Sequence, residues 1–249
     1  MRELTGGLWQ DTAVLFLRPR PKLPYTPEKE AEWDLLWIGY FKREANQHLS
    51  LQKDTDVPLP ADRDAMIDDG RFFLGCDRSA ITGKTVLEVG CGAGFLPKLV
   101  ARHTRMFVGI DWSGLALLVA TRTCPERAVF LHPRERRAIR RWAGKVDSVV
   151  CRHFVIHQNM ERMRGLLAFE AEILAVGGRV YADFWLDNPA IHDGHGVFDA
   201  VEDPAVPNAV FRFTDDQLSE LAADSGLRIV ADYPRADKLR RFVTFERPG

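Results

Sequence analysis

The stretch Val86–Gly94 reads V-L-E-V-G-C-G-A-G and holds the residue types of this chain best suited to bind a ligand. The acid Glu88 stands inside an apolar run, and glycines follow at alternate positions, Gly90, Gly92 and Gly94. Glycines let the backbone turn tightly and approach a ligand with no Cβ in the way. Apolar residues at helical spacing come next, and a helix N-terminus offers free N–H groups. Strand, glycine turn and helix together predict a cradle for a nucleotide-like ligand.

A second acid follows the next predicted strand, Met106–Ile110, at Asp111. An ionised carboxylate can accept hydrogen bonds from both hydroxyls of a ribose. Dinucleotide sites place an acid similarly, but their glycines are spaced G-x-G-x-x-G. This chain has G-x-G-x-G with Glu88 two residues before the first glycine. The glycine spacing and Glu88 therefore disfavour a dinucleotide.

This pattern resembles motif I of the class I S-adenosylmethionine-dependent methyltransferases, E/D-x-G-x-G-x-G. The resemblance implies S-adenosylmethionine as the cofactor, with Glu88 organising the glycine loop and the methionine end of the cofactor, and with a contact from Cys91. Trp112, directly after the ribose-binding acid, either stacks on the adenine ring or packs on the next helix. An acid often binds the adenine amino group after the third strand in this family. Here the alternatives are His132, through its main chain, and the side chain of Glu135.

Two histidines follow the fourth predicted strand, Val146–Cys151. Ligands in open parallel sheets bind outside the carboxyl ends of the strands. In the resembling family this segment passes beside the sulfonium, which implies a cofactor contact from Arg152 and makes His153 and His157 the candidate general bases. A histidine titrates near neutrality and can take a proton from a hydroxyl or an amine. The alternatives are a structural role for His157 and a transfer that needs only positioning, since the sulfonium is already activated.

A long loop is predicted over residues 185–210, and loops of this length in compact domains are usually functional or mobile. Its polar candidates are His192, Asp193 and His195, which either help to wall an acceptor pocket or form an ordinary polar surface. Asp183 and Asp187-Asn188 resemble the acids of metal-dependent catechol-type methyltransferases, which use acids after the fourth and the fifth strands. Because the fourth strand ends in Cys-Arg-His rather than an acid, we predict no metal.

The elements that position these residues alternate between strand and helix from about residue 82. This order predicts an α/β fold, a Rossmann-like doubly wound sheet that is mostly parallel, with right-handed crossovers and an antiparallel C-terminal strand. The predicted strands are Thr85–Val89, Met106–Ile110, Ala128–Leu131, Val146–Cys151, Gly178–Phe184, Leu227–Tyr233 and Arg240–Glu246. The clearest predicted helices are Leu115–Arg122 after an N-cap at Ser113, Met160–Ala175 ending at Val176-Gly177-Gly178, and the helix that the capping box Thr214–Gln217 opens.

The N-terminal 75 residues carry no motif that we recognise. Thr26 as N-cap and Pro27 at the first helical position predict a helix to about residue 49, followed by a loop over 50–63 and a short helix over 64–74. The first helix carries an aromatic stripe that either packs on the core or touches substrate: Trp33, Leu36, Trp37, Tyr40 and Phe41. We predict a helical extension or lid over 1–75 and a methyltransferase domain over 76–249, with 185–210 as a substrate-side insertion.

Composition narrows the function classes. The chain has 249 residues, 46% hydrophobic residues and a formal net charge of −1, which disfavours a broad nucleic-acid surface. The basic run 134–141 predicts a solvated helix face with Ile139 and Trp142 turned inward. Four scattered cysteines form no C-x-x-C pair. The absence of a visible secretory signal or membrane-length apolar run predicts no membrane partner and cytoplasmic residence.

The resemblance implies a methyltransferase that acts on the oxygen or nitrogen of a small-molecule acceptor. Three other functions remain open: a cofactor-binding accessory protein without turnover, an RNA methyltransferase that would need a basic face, and, more distantly, an NAD-dependent oxidoreductase. The sequence predicts neither the acceptor nor the oligomeric state.

Overall fold

The computed structural model describes residues 23–43, 76, 78–124, 127–185, 196–204, 206, 209–234 and 240–249. Several predictions lie outside these residues: the first helix beyond residue 43, the loop over 50–63, the helix over 64–74, and His192, Asp193 and His195.

A mixed sheet forms the centre of the molecule. Its strands are β1 (Thr85–Val89), β2 (Met106–Ile110), β3 (Ala128–Leu131), β4 (Val146–Cys151), β5 (Leu174–Trp185), β6 (Val197–Asp199), β7 (Val210–Arg212), β8 (Arg228–Pro234) and β9 (Arg240–Glu246). The order is β3-β2-β1-β4-β5-β7-β6, and these neighbours are all parallel. β9 pairs antiparallel with β5, and β8 pairs antiparallel with β9. The predicted Rossmann-like fold and its antiparallel closing strand are confirmed.

Helices connect the strands and cover the sheet. They are α1 (Pro27–Arg43), α2 (Phe95–Val100), α3 (Gly114–Thr123), α4 (Arg136–Arg140), α5 (Met160–Ile173) and α6 (Asp215–Ser225), with short 3₁₀ turns at Arg78–Ala80 and Val155–His157. The Ser113 hydroxyl accepts a hydrogen bond from Ala116 N, and Thr214 forms the predicted capping box with Gln217. No helix in the described part of the chain is both long enough and apolar enough to cross a membrane.

The sheet is buried on both faces, as parallel sheets between helices require. Every residue of β1 is buried. Alternate side chains of a strand point to opposite faces, and Leu87 belongs to the large cluster that includes α5 and α6, whereas Val86 packs on the other face with α2. Two layers of apolar side chains thus fix β1, and with it the position of the glycine loop that follows.

One helix boundary differs from the prediction. α5 ends at Ile173, and the chain enters the sheet at Leu174, which pairs with Val146. Gly177 has a φ of +75° and its N–H donates to the carbonyl of Arg247. The Gly177-Gly178 pair therefore forms an irregular part of β5 instead of capping the helix, because β9 and the following residues supply backbone partners there.

Candidate functional site

The glycine loop between β1 and α2 has the backbone that its sequence predicts. Gly90, Gly92 and Gly94 have φ values of +78°, +52° and +79°, which residues other than glycine rarely adopt. The N–H groups of Gly90 and Cys91 both donate to the carbonyl of Ile110, at 2.8 and 3.1 Å, and tie the loop to the end of β2. A Cβ at Gly90 would lie 2.6 Å from the Phe154 side chain. The loop therefore needs glycine for its conformation and for its close neighbours.

Glu88 lies on β1 directly before this loop and is 3% exposed. Its Oε2 atom is buried and has no hydrogen-bond partner among the described residues. Burial raises the pKa of Glu88 to about 8, against a lowering by the Arg152 guanidinium, while the nearby Asp111 carboxylate raises it further. A buried carboxyl with an unused acceptor oxygen is stabilised by a cationic donor. This arrangement fits a ligand that brings an ammonium group.

Asp111 ends β2 and joins the glycine loop to α3. Its two carboxylate oxygens accept hydrogen bonds from the N–H of Gly92 at 2.7 Å and of Ser113 at 2.8 Å. Burial raises its pKa to about 6, although these backbone hydrogen bonds lower it. Each carboxylate oxygen has a second lone pair, so the group has capacity for further donors such as hydroxyls. Glu88, the glycine loop and Asp111 thus form one connected cradle, whose carboxyl acceptors and bare backbone fit S-adenosylmethionine.

Trp112 is 3% exposed and faces the N-terminal segment. Its indole N–H donates to the carbonyl of Pro24 at 3.0 Å, and its ring packs against Phe154 with centroids 4.8 Å apart and planes inclined by 31°. Packing holds the indole in this position, and the ring also lines the neighbouring cavity. Stacking on an adenine ring and packing within the protein, the two alternatives given for Trp112, both fit this position.

His132 lies beside Trp112. Its Nε2 bonds the Trp112 carbonyl at 3.1 Å, and its Nδ1 accepts from the N–H of Arg134 at 3.2 Å, so the proton belongs on Nε2. Tyr25 meets the imidazole edge to face at 5.4 Å. The Glu135 carboxylate accepts from the N–H of His132 at 2.8 Å. His132 and Glu135, the two candidates for binding the adenine, are therefore joined by a hydrogen bond after β3. The Glu135 side chain turns back onto the His132 backbone.

Helix α1 lies over the glycine loop. Asp34 accepts hydrogen bonds from the Ser113 hydroxyl at 2.5 Å and from the Leu115 N–H at 3.2 Å, which fastens α1 to the start of α3. Trp37 lies against the loop, since a Cβ built on Gly92 would be 2.4 Å from its ring. Trp37, one residue of the aromatic stripe predicted for this helix, thus contacts the glycine loop. Asp34, which the sequence analysis missed, carries no motif that would have marked it.

A cavity of about 220 Å³ opens beside Phe154 and Trp112. Its described lining comes from α1, from the segment after β4, from α5 and from the chain before β7, and includes Lys29, Trp33, His157, Arg162 and Ala209. Because Phe154 also covers Gly90, the cavity is adjacent to the glycine loop.

The structure separates the two candidate bases. The Nδ1 of His157 bonds the carbonyl of Ala209 at 3.0 Å, and Trp33 packs edge to face on the ring at 5.3 Å. A carbonyl only accepts, so Nδ1 carries the proton and Nε2 is the basic nitrogen. His157 lines the cavity, and its orientation suits a base.

His153 is held differently. It has a φ of +56°, its N–H donates to Asp183 at 2.7 Å, and its Nδ1 accepts from the Arg240 guanidinium. Arg240 also forms an ion pair with the buried Asp183 at 2.8 Å. The Arg240 guanidinium thus occupies the Nδ1 lone pair of His153. His153 is not among the described residues that line the cavity.

The remaining predicted site residues lie around the loop. Cys91 is buried, its Sγ lies on the Gly109 side of the loop, and burial raises the pKa of its thiol. The Arg152 guanidinium lies over the Phe95 ring at 5.4 Å and acts electrostatically on Glu88. Within the described ranges, no cluster of three or more histidine, cysteine, aspartate or glutamate side chains could hold a metal ion.

Known proteins share both a segment of the sequence and the fold. The chain is 33% identical over 84 residues to a ubiquinone biosynthesis O-methyltransferase of Pseudomonas paraeruginosa, covering 32% of this chain and 36% of the relative. It is 29% identical over 106 residues to the enzyme of the same name of Erwinia tasmaniensis, covering 41% and 43%. The matched segments thus span about two fifths of these curated relatives. No family profile matches the chain.

Two solved structures show the fold. A TehB-like SAM-dependent methyltransferase of Corynebacterium glutamicum superposes with a TM-score of 0.54 at 14% identity, covering 85% of this chain and 97% of that one. Magnesium protoporphyrin IX methyltransferase of Synechocystis, with bound SAH (S-adenosylhomocysteine), gives 0.52 at 17% identity, covering 74% and 80%.

The strand order and the superposed structures define a Rossmann-like α/β fold. The matched segments and the superposed structures are similar to S-adenosylmethionine-dependent methyltransferases in part of the sequence and in the fold.

Proposed function

We propose that the protein transfers a methyl group from S-adenosylmethionine to an oxygen of a small-molecule acceptor. The observation that carries this proposal is the buried Oε2 of Glu88 before the glycine loop, which has no hydrogen-bond partner in the described part of the chain, together with Asp111 directly after the adjacent strand. The matched segment of the ubiquinone biosynthesis O-methyltransferases supports oxygen over nitrogen as the acceptor atom.

The cofactor would be held by residues on three neighbouring elements. Glu88 would accept the ammonium group of the methionine end, Asp111 the ribose hydroxyls, and Trp112 with His132 would flank the adenine. The positive φ values of Gly90 and Gly92 bring bare backbone to the cofactor. When bound, the cofactor supplies an activated methyl group on a sulfonium.

His157 would remove the acceptor's proton. Its Nδ1–H is oriented by the Ala209 carbonyl, which leaves Nε2 basic, and its ring lies on the cavity wall. The same carbonyl would stabilise the imidazolium that forms after proton transfer. The contact between His153 and Arg240 makes His153 the weaker candidate.

Turnover with defined acceptors tests the proposal. The protein is incubated with S-adenosylmethionine and a panel of hydroxylated aromatics, sugars, amines and an RNA, and S-adenosylhomocysteine is quantified. We expect its release with a hydroxylated small molecule and its loss in Glu88→Gln and Asp111→Asn variants. Release only with RNA, or cofactor binding without turnover on any acceptor, would overturn the proposal.

A further inference from the structure

The cavity beside Phe154 has a definite size and wall chemistry. An apolar protein cavity of about 150 Å³ is large enough for benzene. The 220 Å³ cavity therefore has room for one ring with small substituents. Its walls carry the aromatic side chains of Trp33, Trp112 and Phe154 together with the His157 ring. Aromatic walls suit a flat ring, which can stack on them or meet them edge to face.

The two cationic side chains on the cavity wall, Lys29 and Arg162, differ in how well a carboxylate neutralises them. Lys29 is paired with Glu32 at 2.8 Å, and these side chains are 35% and 20% exposed. Arg162 is paired with Asp203 at 3.3 Å, a distance beyond the usual range for an N–H···O hydrogen bond. The Asp203 side chain is 75% exposed, whereas that of Arg162 is 24% exposed. Solvent screens an exposed partner, so the Arg162 charge is the less compensated of the two.

The rest of the Arg162 environment does not use up its donors. Its guanidinium lies over the Phe211 ring at 5.5 Å, which fixes its plane. Its Nε is buried and has no hydrogen-bond partner among the residues that the structure describes. Arg162 stands in the first turn of α5, and α5 begins shortly after His157, so both residues border one cavity. A planar fork held in this way suits a carboxylate.

We propose that the acceptor is a single-ring phenol bearing a carboxylate, and that Arg162 is the residue that selects the acid. The ring would lie between the aromatic walls, with the hydroxyl toward Nε2 of His157 and the carboxylate toward the Arg162 guanidinium. The phenol would lose its proton to His157 and gain the methyl group, while the cofactor would leave as S-adenosylhomocysteine. This inference rests on the proposed methyl transfer.

Binding to the protein–S-adenosylhomocysteine complex tests the inference without requiring turnover. Trp33 and Trp112 line the cavity, so tryptophan fluorescence reports its occupation. The probes are 3,4-dihydroxybenzoate and its methyl ester, in which one added methyl group removes the negative charge of the acid. We expect the acid to bind at least tenfold more tightly than the ester, as the loss of a charge-assisted hydrogen bond implies. Where turnover is seen, kcat/KM should show the same preference.

Variants of two arginines on α5 separate recognition from stability. We expect Arg162→Gln to abolish the preference for the acid while ester binding is unchanged, and Arg162→Lys to retain part of it. Arg164→Gln is the matched control, because Arg164 is 44% exposed and pairs with Glu220 and Asp224 on α6. It should leave both affinities unchanged.

The outcomes distinguish this inference from the proposed function. If S-adenosylhomocysteine does not bind, the methyltransferase proposal itself fails. If it binds while the acid shows no advantage over the ester, or if Arg162→Gln keeps that advantage, the acceptor inference alone is overturned.

Discussion

Glu88 shares with Glu170 a raised pKa and a buried carboxyl oxygen without a hydrogen-bond partner among the described residues, and it differs from Glu170 by its place beside the glycine loop. It is a buried carboxyl with a raised pKa of about 8 and an unused oxygen, next to a loop that three glycines keep bare. In the ligand-free protein at pH 7 it is therefore mostly protonated. A bound ammonium group would favour the ionised form, so the site couples cofactor binding to the release of a proton.

This coupling predicts that S-adenosylhomocysteine binds more tightly as the pH rises from 7 toward 8. Calorimetry in two buffers of different ionisation enthalpy should show a proton released at pH 7. Asp111, with a pKa of about 6, is already mostly ionised there and contributes less. Glu88→Gln should bind weakly and without proton release. Equal enthalpies in both buffers for the unaltered protein would contradict this role.

His157 gives a second prediction at this scale. A general base typically contributes about 10²–10⁴-fold to the rate. His157→Asn should lower kcat by an amount in this range and remove the fall in rate at acid pH, with little change in cofactor affinity. The matched variant His153→Asn should keep the acid limb of the pH–rate profile. The opposite pattern in the two variants would move the role of base to His153.

At the scale of elements, helix α1 is what turns an exposed cradle into a covered one. It is fastened through Asp34 to the start of α3 and places Trp37 against Gly92. The segment before it accepts the Trp112 indole N–H through Pro24. These contacts bring the N-terminal helix and the cofactor loop together, so ligand entry over Gly92 requires Trp37 to move.

Trp37→Ala should therefore speed the association of S-adenosylhomocysteine and raise its affinity, because the ring no longer competes for space beside Gly92. Stopped-flow and calorimetric titrations measure both effects. Leu35→Ala is the control, since Leu35 lies on the same helix and is 69% exposed. Weaker binding in Trp37→Ala would show instead that the indole packs against the bound cofactor.

At the scale of the whole molecule, buried acids set how stability depends on pH, with Glu88 and Glu170 acting over a wider range than Asp111, whose pKa is about 6. Glu88 and Glu170 each have a pKa of about 8 because of burial, and Glu170 accepts from the Cys151 thiol at 2.9 Å. Between their ordinary pKa of 4.5 and about 8, the folded protein holds protons that the unfolded chain has released. The free energy of unfolding therefore falls as the pH rises through this window.

Thermal unfolding checks this directly. We expect Tm to fall between pH 5 and pH 8, at about 2–4 °C for each kcal/mol lost. Glu170→Gln should flatten the dependence, whereas Glu161→Gln, at an exposed position on the same helix, should not. A Tm that rises over this range would show that the buried carboxyls are ionised.

The sequence predicted the architecture well where local signals and burial agree. The bounds of β1, β2, β3, β4 and β9 match the prediction, as do the caps at Ser113 and Thr214, because apolar runs and capping residues act over a few positions. The Gly177-Gly178 pair misled the prediction of the end of α5, since the partners of those glycines come from the distant β9 end.

Only the part of the candidate site formed by residues close together in the sequence could be predicted. The order Glu88, glycines and Asp111 lies on two adjacent strands and is visible as a motif. Asp34 and Arg162 could not be found this way, because each acquires its role from a partner far away in the chain, Ser113 for the first and the cavity wall for the second. The two histidines were separable only through Ala209 and Arg240, which no spacing rule connects to them.

The most direct test of the central claim is a calorimetric titration of the protein with S-adenosylhomocysteine, with NAD⁺ as the comparison ligand. We predict one binding site for S-adenosylhomocysteine, which Glu88→Gln and Asp111→Asn each weaken at least tenfold, and no binding of NAD⁺. Binding of NAD⁺ without S-adenosylhomocysteine, or affinity unchanged in both variants, would contradict it.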